Sequence, residues 1–243
     1  MRLDGKVAVI TGAGRGIGRA IARAYADAGA AVCCAARAQE QLDATVQEIV
    51  AVGGQAISAA TDVTDYSSVT RLFERTVSAF GGVDIVVAAA GVSLENKRVE
   101  DSDPLQWARA IEVNLTGAFH TAKAAIPLLR RREAGKIIFI GSGMGHRSGP
   151  TRSAYATSKA GLWMLTRVLA QELAEEGICV NELIPGPVLT ALIAGREGRL
   201  GTGDGSGEWY KQPEDVAPLA IFLATQPVRG PTGQTFSLAR REL

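Results

Sequence analysis

The chain has 243 residues, 47% of them hydrophobic and 21% charged, which is enough apolar side chain for one large core and too much for a disordered chain. Its 26 basic and 25 acidic residues leave a formal net charge of +1, so neither nucleic acid nor an anionic membrane is an expected partner. Three cysteines (Cys33, Cys34, Cys179) and two histidines (His120, His146) show neither disulfide spacing nor a metal-ligand cluster; reduced thiols, no bound metal and a cytoplasmic location are expected. The opening MRLDGKVAVITGAG lacks the apolar region and cleavage site of an export signal, and no run of 18 apolar residues suggests a membrane span.

In chain order, residues 6–11 (KVAVIT) form an apolar run that ends in glycines and reads as a strand buried on both faces. Helical spacing follows over residues 18–29, then a second apolar run at 31–36 and a polar helix at 39–52. A strand is expected at 56–60, a helix at 67–80 and a fourth strand at 83–89. Residues 104–131 read as one long helix kinked near Pro127. A fifth strand at 136–140 (KIIFI), a helix at 155–175, a strand at 178–183, a helix at 214–224 and a last strand at 235–238 complete the alternation. This pattern predicts a Rossmann-like, doubly wound parallel sheet of about seven strands with helices on both faces. The whole chain, 1–243, reads as a single dinucleotide-binding catalytic domain. A flexible substrate-loop insertion around 190–212 carries the glycine-dense stretch 195–207, which is expected to act as a lid over the substrate.

Between the first strand and the first helix lies Thr11-Gly12-Ala13-Gly14-Arg15-Gly16-Ile17-Gly18. Glycine allows a sharp turn and close approach of a pyrophosphate, and the helix N-terminus adds amide donors and a positive dipole end. The spacing of Gly12, Gly16 and Gly18 is not G-x-G-x-x-G, and no Gly-Lys-Ser/Thr ending makes it a P-loop. After the second strand, where NAD-preferring folds place an acid for the ribose 2′-hydroxyl, the chain reads Ala35-Ala36-Arg37. Arg37 could grip a 2′-phosphate with a forked contact, and Arg15 could add a second charge; the competing reading is two arginines that face water. NADP(H) is therefore the preferred cofactor and NAD(H) a possible one.

Tyr155 and Lys159 are four apart in a helical segment and share one face. A tyrosine of ordinary pKa, about 10, exchanges protons poorly at neutral pH, and a nearby ammonium should lower that value. Ser142 follows the fifth strand, at the sheet edge where open α/β folds bind ligands.

Thr11-Gly12-xxx-Gly16-x-Gly18, Asp62-Val63, Asn114, Ser142, Tyr155-xxx-Lys159 and Pro185-Gly186 together resemble the short-chain dehydrogenase/reductase family, and the resemblance spans residues 5 to about 238. It implies that Tyr155 is the general acid in reduction and the base in oxidation, with Ser142 bonding the substrate oxygen. Lys159 would bind nicotinamide-ribose hydroxyls and lower the Tyr155 pKa. Asn114 would hold a relay water. Asp62 and Val63 would meet the adenine; Ala90 and Gly91 would offer backbone contacts; Pro185, Gly186, Val188 and Thr190 would hold the nicotinamide. It also implies a homotetramer, or a homodimer, acting on a small carbonyl or alcohol. Two departures stand out: Ala88-Ala89-Ala90-Gly91 replaces the family's Asn-Asn-Ala-Gly and loses a side-chain tether, and Leu238-Ala239-Arg240-Arg241 replaces its Val-Asp-Gly-Gly. A non-catalytic NADP(H)-binding sensor or scaffold is the alternative function, but it has no need of an intact Asn114, Ser142, Tyr155 and Lys159. A 3-oxoacyl reductase is a subset of the first reading, since no residue specifies an acyl carrier. Ser93, Met144, His146, Leu189 and Leu192 are the expected substrate determinants, with His146 either lining the pocket or serving structure.

Overall fold

A computed structural model describes residues 1–147, 149–191 and 209–240. Strands β1 (Val7–Thr11), β2 (Ala31–Ala36), β3 (Gln55–Ala60), β4 (Ile85–Ala88), β5 (Lys136–Ile140), β6 (Cys179–Ile184) and β7 (Thr235–Ser237) form one sheet in the order β3-β2-β1-β4-β5-β6-β7. Every pairing is parallel. The central strands β1, β4, β5 and β6 are buried along their whole length, which is why they read as unbroken apolar runs rather than alternating ones.

Helices cover both faces. The core of one face joins side chains of α1 (Gly16–Asp27), α2 (Gln39–Ala51) and a late helix over Ala217–Ala224. The core of the other face joins α3 (Tyr66–Phe80), which starts on an Asp65 cap, with the helices that precede and follow β5. The chain builds β1, β2 and β3 outward in one direction and then returns to the other side of β1 with β4. That reversal opens a crevice at the carboxyl ends of β1 and β4, the place where such sheets bind ligands.

The long helix expected over 104–131 is three pieces: α4 (Pro104–Ile111), a π-helical turn (Glu112–Thr116) and α5 (Gly117–Leu129). The irregularity falls at the π turn, and Pro127 lies inside α5. The extra residue of a π turn widens the backbone, here at Asn114, whose carboxamide bonds the main chain at Val92. α6 (Ser153–Glu172) and α7 (Ala217–Ala224) complete the set. No helix among the described residues is long and apolar enough to cross a membrane. Leu192 and the glycine-dense stretch 195–207, expected as substrate determinants and lid, lie outside the described residues.

Candidate active site

The glycine loop is shaped by close backbone packing. Gly12 has φ +71°, and a Cβ there would stand 2.8 Å from Ala89 O. A Cβ on Gly18 would run into Gly12 O. Only glycine lets the β1–α1 turn, the start of α1 and the end of β4 pack this closely. Gly12→Ala should therefore cost about 1–3 kcal/mol. Chemical denaturation of the variant checks this, and an unchanged midpoint would show that the turn relaxes freely. Thr11 supplies the tether that Ala88-Ala89-Ala90-Gly91 lacks, because its hydroxyl accepts the N–H groups of Ala89 and Ala90 at 3.2 and 3.3 Å.

α1 begins at Gly16 after Arg15, with no side chain capping its first amides. In α3 and α4, by contrast, Asp65 and Asp103 cap the start. The N–H groups around Gly16, Ile17 and Gly18 are thus left for an anion. Arg15 is exposed. Thr190 covers the same turn: a Cβ on Gly16 would lie 3.2 Å from Thr190 Cγ2. Val188, buried, bridges to Lys211, and Pro185 and Gly186 (φ +70°) lead there from β6.

Arg37 is exposed at the end of β2, close enough to Asp62 to act on its charge. Burial pushes the Asp62 carboxyl up, but hydrogen bonds from Thr64 N–H (3.0 Å) and Thr64 Oγ1 (2.8 Å), with the Arg109 and Arg37 guanidiniums, hold it below the usual carboxylate range. Arg109 Nη2 reaches Asp62 at 3.4 Å. Sequence reasoning missed Arg109, because 47 residues separate the partners. Val63 is buried, its carbonyl 3.0 Å from His120 Nδ1.

Ser142, Asn114, Tyr155 and Lys159 come together at the carboxyl ends of β4 and β5. Asn114 is buried in the π turn; its Oδ1 accepts Val92 N–H at 2.7 Å, and its Nδ2 donates to Val92 O at 2.9 Å and to Ser158 Oγ at 3.0 Å. Gly91 sits between Asn114 and Lys159: a Cβ there would be 3.4 Å from Asn114 Oδ1 and 3.9 Å from Lys159 Nζ. Lys159 Nζ donates to Ile140 O at 2.7 Å and lies 5.8 Å from the centre of the Tyr155 ring. Burial lowers the Lys159 pKa from 10.5 to about 8, against the opposing pull of Glu182.

Tyr155 departs from expectation. Burial raises its pKa above the ordinary value of 10.0, and hydrogen bonding to Ser142 and the charge of Arg152 only partly offset this. Lys159 is not what lowers it here; its ammonium is turned to Ile140 O. Tyr155 consequently keeps its proton through neutral pH. Ser142 is in extended conformation at the end of β5, with its hydroxyl accepting Met144 N–H at 3.2 Å.

Ser93 Oγ is buried without a hydrogen-bond partner, in the segment that follows β4. His146 has two partners: its Nε2 is 2.8 Å from Glu182 Oε2, and its ring is 5.0 Å from that of Trp163. Glu182, fully buried in β6, escaped the sequence reading, although a carboxylate inside the apolar run ICVNELI was visible there.

Comparison with known proteins agrees with this geometry. The chain matches the short chain dehydrogenase family over residues 6–198. It is 36% identical to a 3-oxoacyl-[acyl-carrier-protein] reductase of Synechocystis over 97% of this chain and 96% of that protein. It is 40% identical to a D-beta-hydroxybutyrate dehydrogenase of Rhizobium meliloti over 77% of this chain and 73% of that one. Among solved structures, a short-chain type dehydrogenase/reductase from Mycobacterium marinum superposes with TM-score 0.90 at 34% identity, covering 97% and 94% of the two chains. A putative NAD(P) dependent gluconate 5-dehydrogenase from Beutenbergia cavernae, solved with NADP bound at low occupancy, superposes with TM-score 0.88 at 32% identity, covering 97% and 96%. The chain belongs to the short-chain dehydrogenase/reductase family. It is an NAD(P)-dependent oxidoreductase acting on a small molecule.

Proposed function

We propose that this protein is an NADP(H)-preferring carbonyl reductase and alcohol dehydrogenase in which Tyr155, Ser142, Lys159 and Asn114 carry the reaction. The observation that carries this reading is the meeting of those four residues beside an α1 start that no side chain caps. The residues fit a dinucleotide. Amides of Gly16, Ile17 and Gly18 suit its pyrophosphate, and the exposed guanidiniums of Arg15 and Arg37 suit a 2′-phosphate. Asp62 and Val63 would hold the adenine, backbone at Gly12, Ala90 and Gly91 would contact the rest of the dinucleotide, and Pro185, Gly186, Val188 and Thr190 would hold the nicotinamide. When bound, the cofactor supplies or takes the hydride.

The chain's own residues handle the proton. Tyr155 Oη donates it to the carbonyl oxygen in reduction and takes it back in oxidation. Ser142 Oγ hydrogen-bonds the same oxygen and orients it. Lys159 Nζ, placed by Ile140 O, binds the ribose hydroxyls near Tyr155. Asn114 fixes the main chain at Val92 and, through the widened π turn, holds a relay water near Lys159. The whole chain works as one catalytic domain. Exposed Leu105, Phe119, Met164 and Val168 on α4, α5 and α6 favour self-association into a homodimer or homotetramer. Buried free Cys33, Cys34 and Cys179 suit a reducing, cytoplasmic setting.

A panel of ketones and aldehydes, with loss of NADPH absorbance as the readout, tests the reading. Turnover of at least one member supports it; NADPH binding without turnover across the panel favours a sensor.

The Lys159 shift gives a pH prediction. Below about pH 8 Lys159 is an ammonium and above it a neutral amine, so affinity for the anionic cofactor should be flat below pH 8 and weaken above it. The same group binds fewer protons folded than unfolded between pH 8 and 10.5, so its own contribution to stability grows with rising pH across that window. NADPH fluorescence titrations from pH 6 to 10 (about two units either side of that midpoint) check the binding limb. Lys159→Met should remove the pH dependence; a limb that survives in the variant belongs to another group.

A further inference from the structure

Glu182 occupies a position where a carboxylate is costly. It is the fourth residue of β6, between Asn181 and Leu183, and none of it reaches solvent. Burying such a charge is unfavourable unless its partners compensate. One oxygen is well held: Oε2 meets His146 Nε2 at 2.8 Å and accepts Thr235 Oγ1 at 2.8 Å. The other, Oε1, is buried with no hydrogen-bond partner. It lies against Gly141, where any Cβ would run into the carboxylate. Gly141 is flanked by Ile140, whose carbonyl receives Lys159 Nζ, and by Ser142. His146, on the same segment as Ser142, also packs at a tilt against Trp163, one helical turn after Lys159 on α6.

We propose that Glu182 is a positioning residue: through His146 it clasps the segment bearing Ser142 onto β6 and α6, and its charge faces the Lys159 ammonium. The clasp is a closed circuit of contacts. β5 ends at Ile140, the chain passes over the carboxylate at Gly141, presents Ser142, and returns to the same carboxylate at His146. The ionisable groups facing Glu182 are Lys159 from α6 and His146 from the loop; β7 contributes the Thr235 hydroxyl. The negative charge opposes the burial that would otherwise discharge Lys159. Sequence alone could not join these parts, since 36 residues separate His146 from Glu182.

The inference rests on the NADP(H) reading above, and its test separates the two. Glu182→Gln keeps the volume and an acceptor for Thr235 but removes the charge. NADPH binding, followed by fluorescence against pH, should lose affinity at a midpoint on the order of one pH unit lower than in wild type. Single-turnover reduction at neutral pH should fall, with NADPH affinity at low pH unchanged. His146→Ala should break the clasp and slow single turnover at unchanged NADPH affinity, whereas His146→Gln, which keeps a side-chain donor, should restore part of the rate. Wild-type protein that fails to bind NADPH sinks the cofactor reading. Wild-type protein that binds it, beside a Glu182→Gln variant with unshifted midpoint and full single-turnover rate, overturns the role of Glu182. Should Glu182→Gln fail to fold, the His146 pair decides: equal rates for alanine and glutamine overturn the clasp, and a faster glutamine variant supports it.

Discussion

Tyr155→Phe should lower single-turnover hydride transfer by about 10²–10⁴-fold, the range that a positioned general acid contributes. The substitution removes one oxygen from a half-buried ring and little volume, so the melting temperature and NADPH affinity should hold. The structure sharpens this expectation. Burial raises the Tyr155 pKa, so the proton is present at neutral pH and available to the carbonyl oxygen in the reductive direction. In the oxidative direction the same residue must first lose its proton, and the oxidation rate should climb with pH until Lys159 discharges near pH 8. Ser142→Ala should cut the rate as well, because Ser142 orients the substrate oxygen and opposes the upward shift of Tyr155. A folding defect would look different, lowering cofactor binding, rate and melting temperature together. Near-wild-type turnover by Tyr155→Phe on a verified substrate would remove Tyr155 from the chemistry.

Arg37→Asp should weaken NADPH by about ten- to a hundredfold, or roughly 1.5–3 kcal/mol for one charged contact, and leave NADH unchanged or better bound. Arg37 is exposed at the carboxyl end of β2, where NAD-preferring folds place an acid that reads the ribose 2′-hydroxyl. Its charge also acts on Asp62, which Thr64 and Arg109 already hold. An aspartate at 37 would therefore face a carboxylate as well as the 2′-phosphate, and both repulsions work against NADPH. Arg15→Ala should show a smaller loss in the same direction, because Arg15 is the second exposed guanidinium at this end of the sheet. Wild-type titration curves that coincide for NADPH and NADH would refute the preference.

The parts of the fold legible in the sequence are those governed by local rules. KIIFI reads as a strand because β5 is buried along its whole length, and an apolar run is what such burial requires. The glycine turn reads as a phosphate cradle because Gly12 and Gly18 sit where no Cβ fits. Tyr155 and Lys159 read as a pair because both lie on α6, four residues apart. What escaped depends on contacts between distant segments. The π turn at Glu112–Thr116 has no period of its own; it is marked by Asn114 reaching back to Val92. Pro127 drew the expected kink to itself and lies within α5 instead. The upward pKa of Tyr155 follows from burial between elements, which helical spacing with Lys159 does not report. Glu182 was conspicuous as an acid in an apolar strand, yet its meaning depends on His146, Gly141 and Thr235, contributed by other segments of the chain.

The central claim is that this chain passes a hydride from NADPH to a carbonyl carbon while Tyr155 supplies the proton. Its most direct test uses NADPH deuterated at both C4 positions with a carbonyl that the wild-type enzyme turns over, and mass analysis of the alcohol. The alcohol should carry deuterium at the former carbonyl carbon, and Tyr155→Phe should form the same labelled alcohol at least about 10²-fold more slowly. An alcohol without deuterium, or labelled alcohol formed equally fast by both proteins, would contradict it.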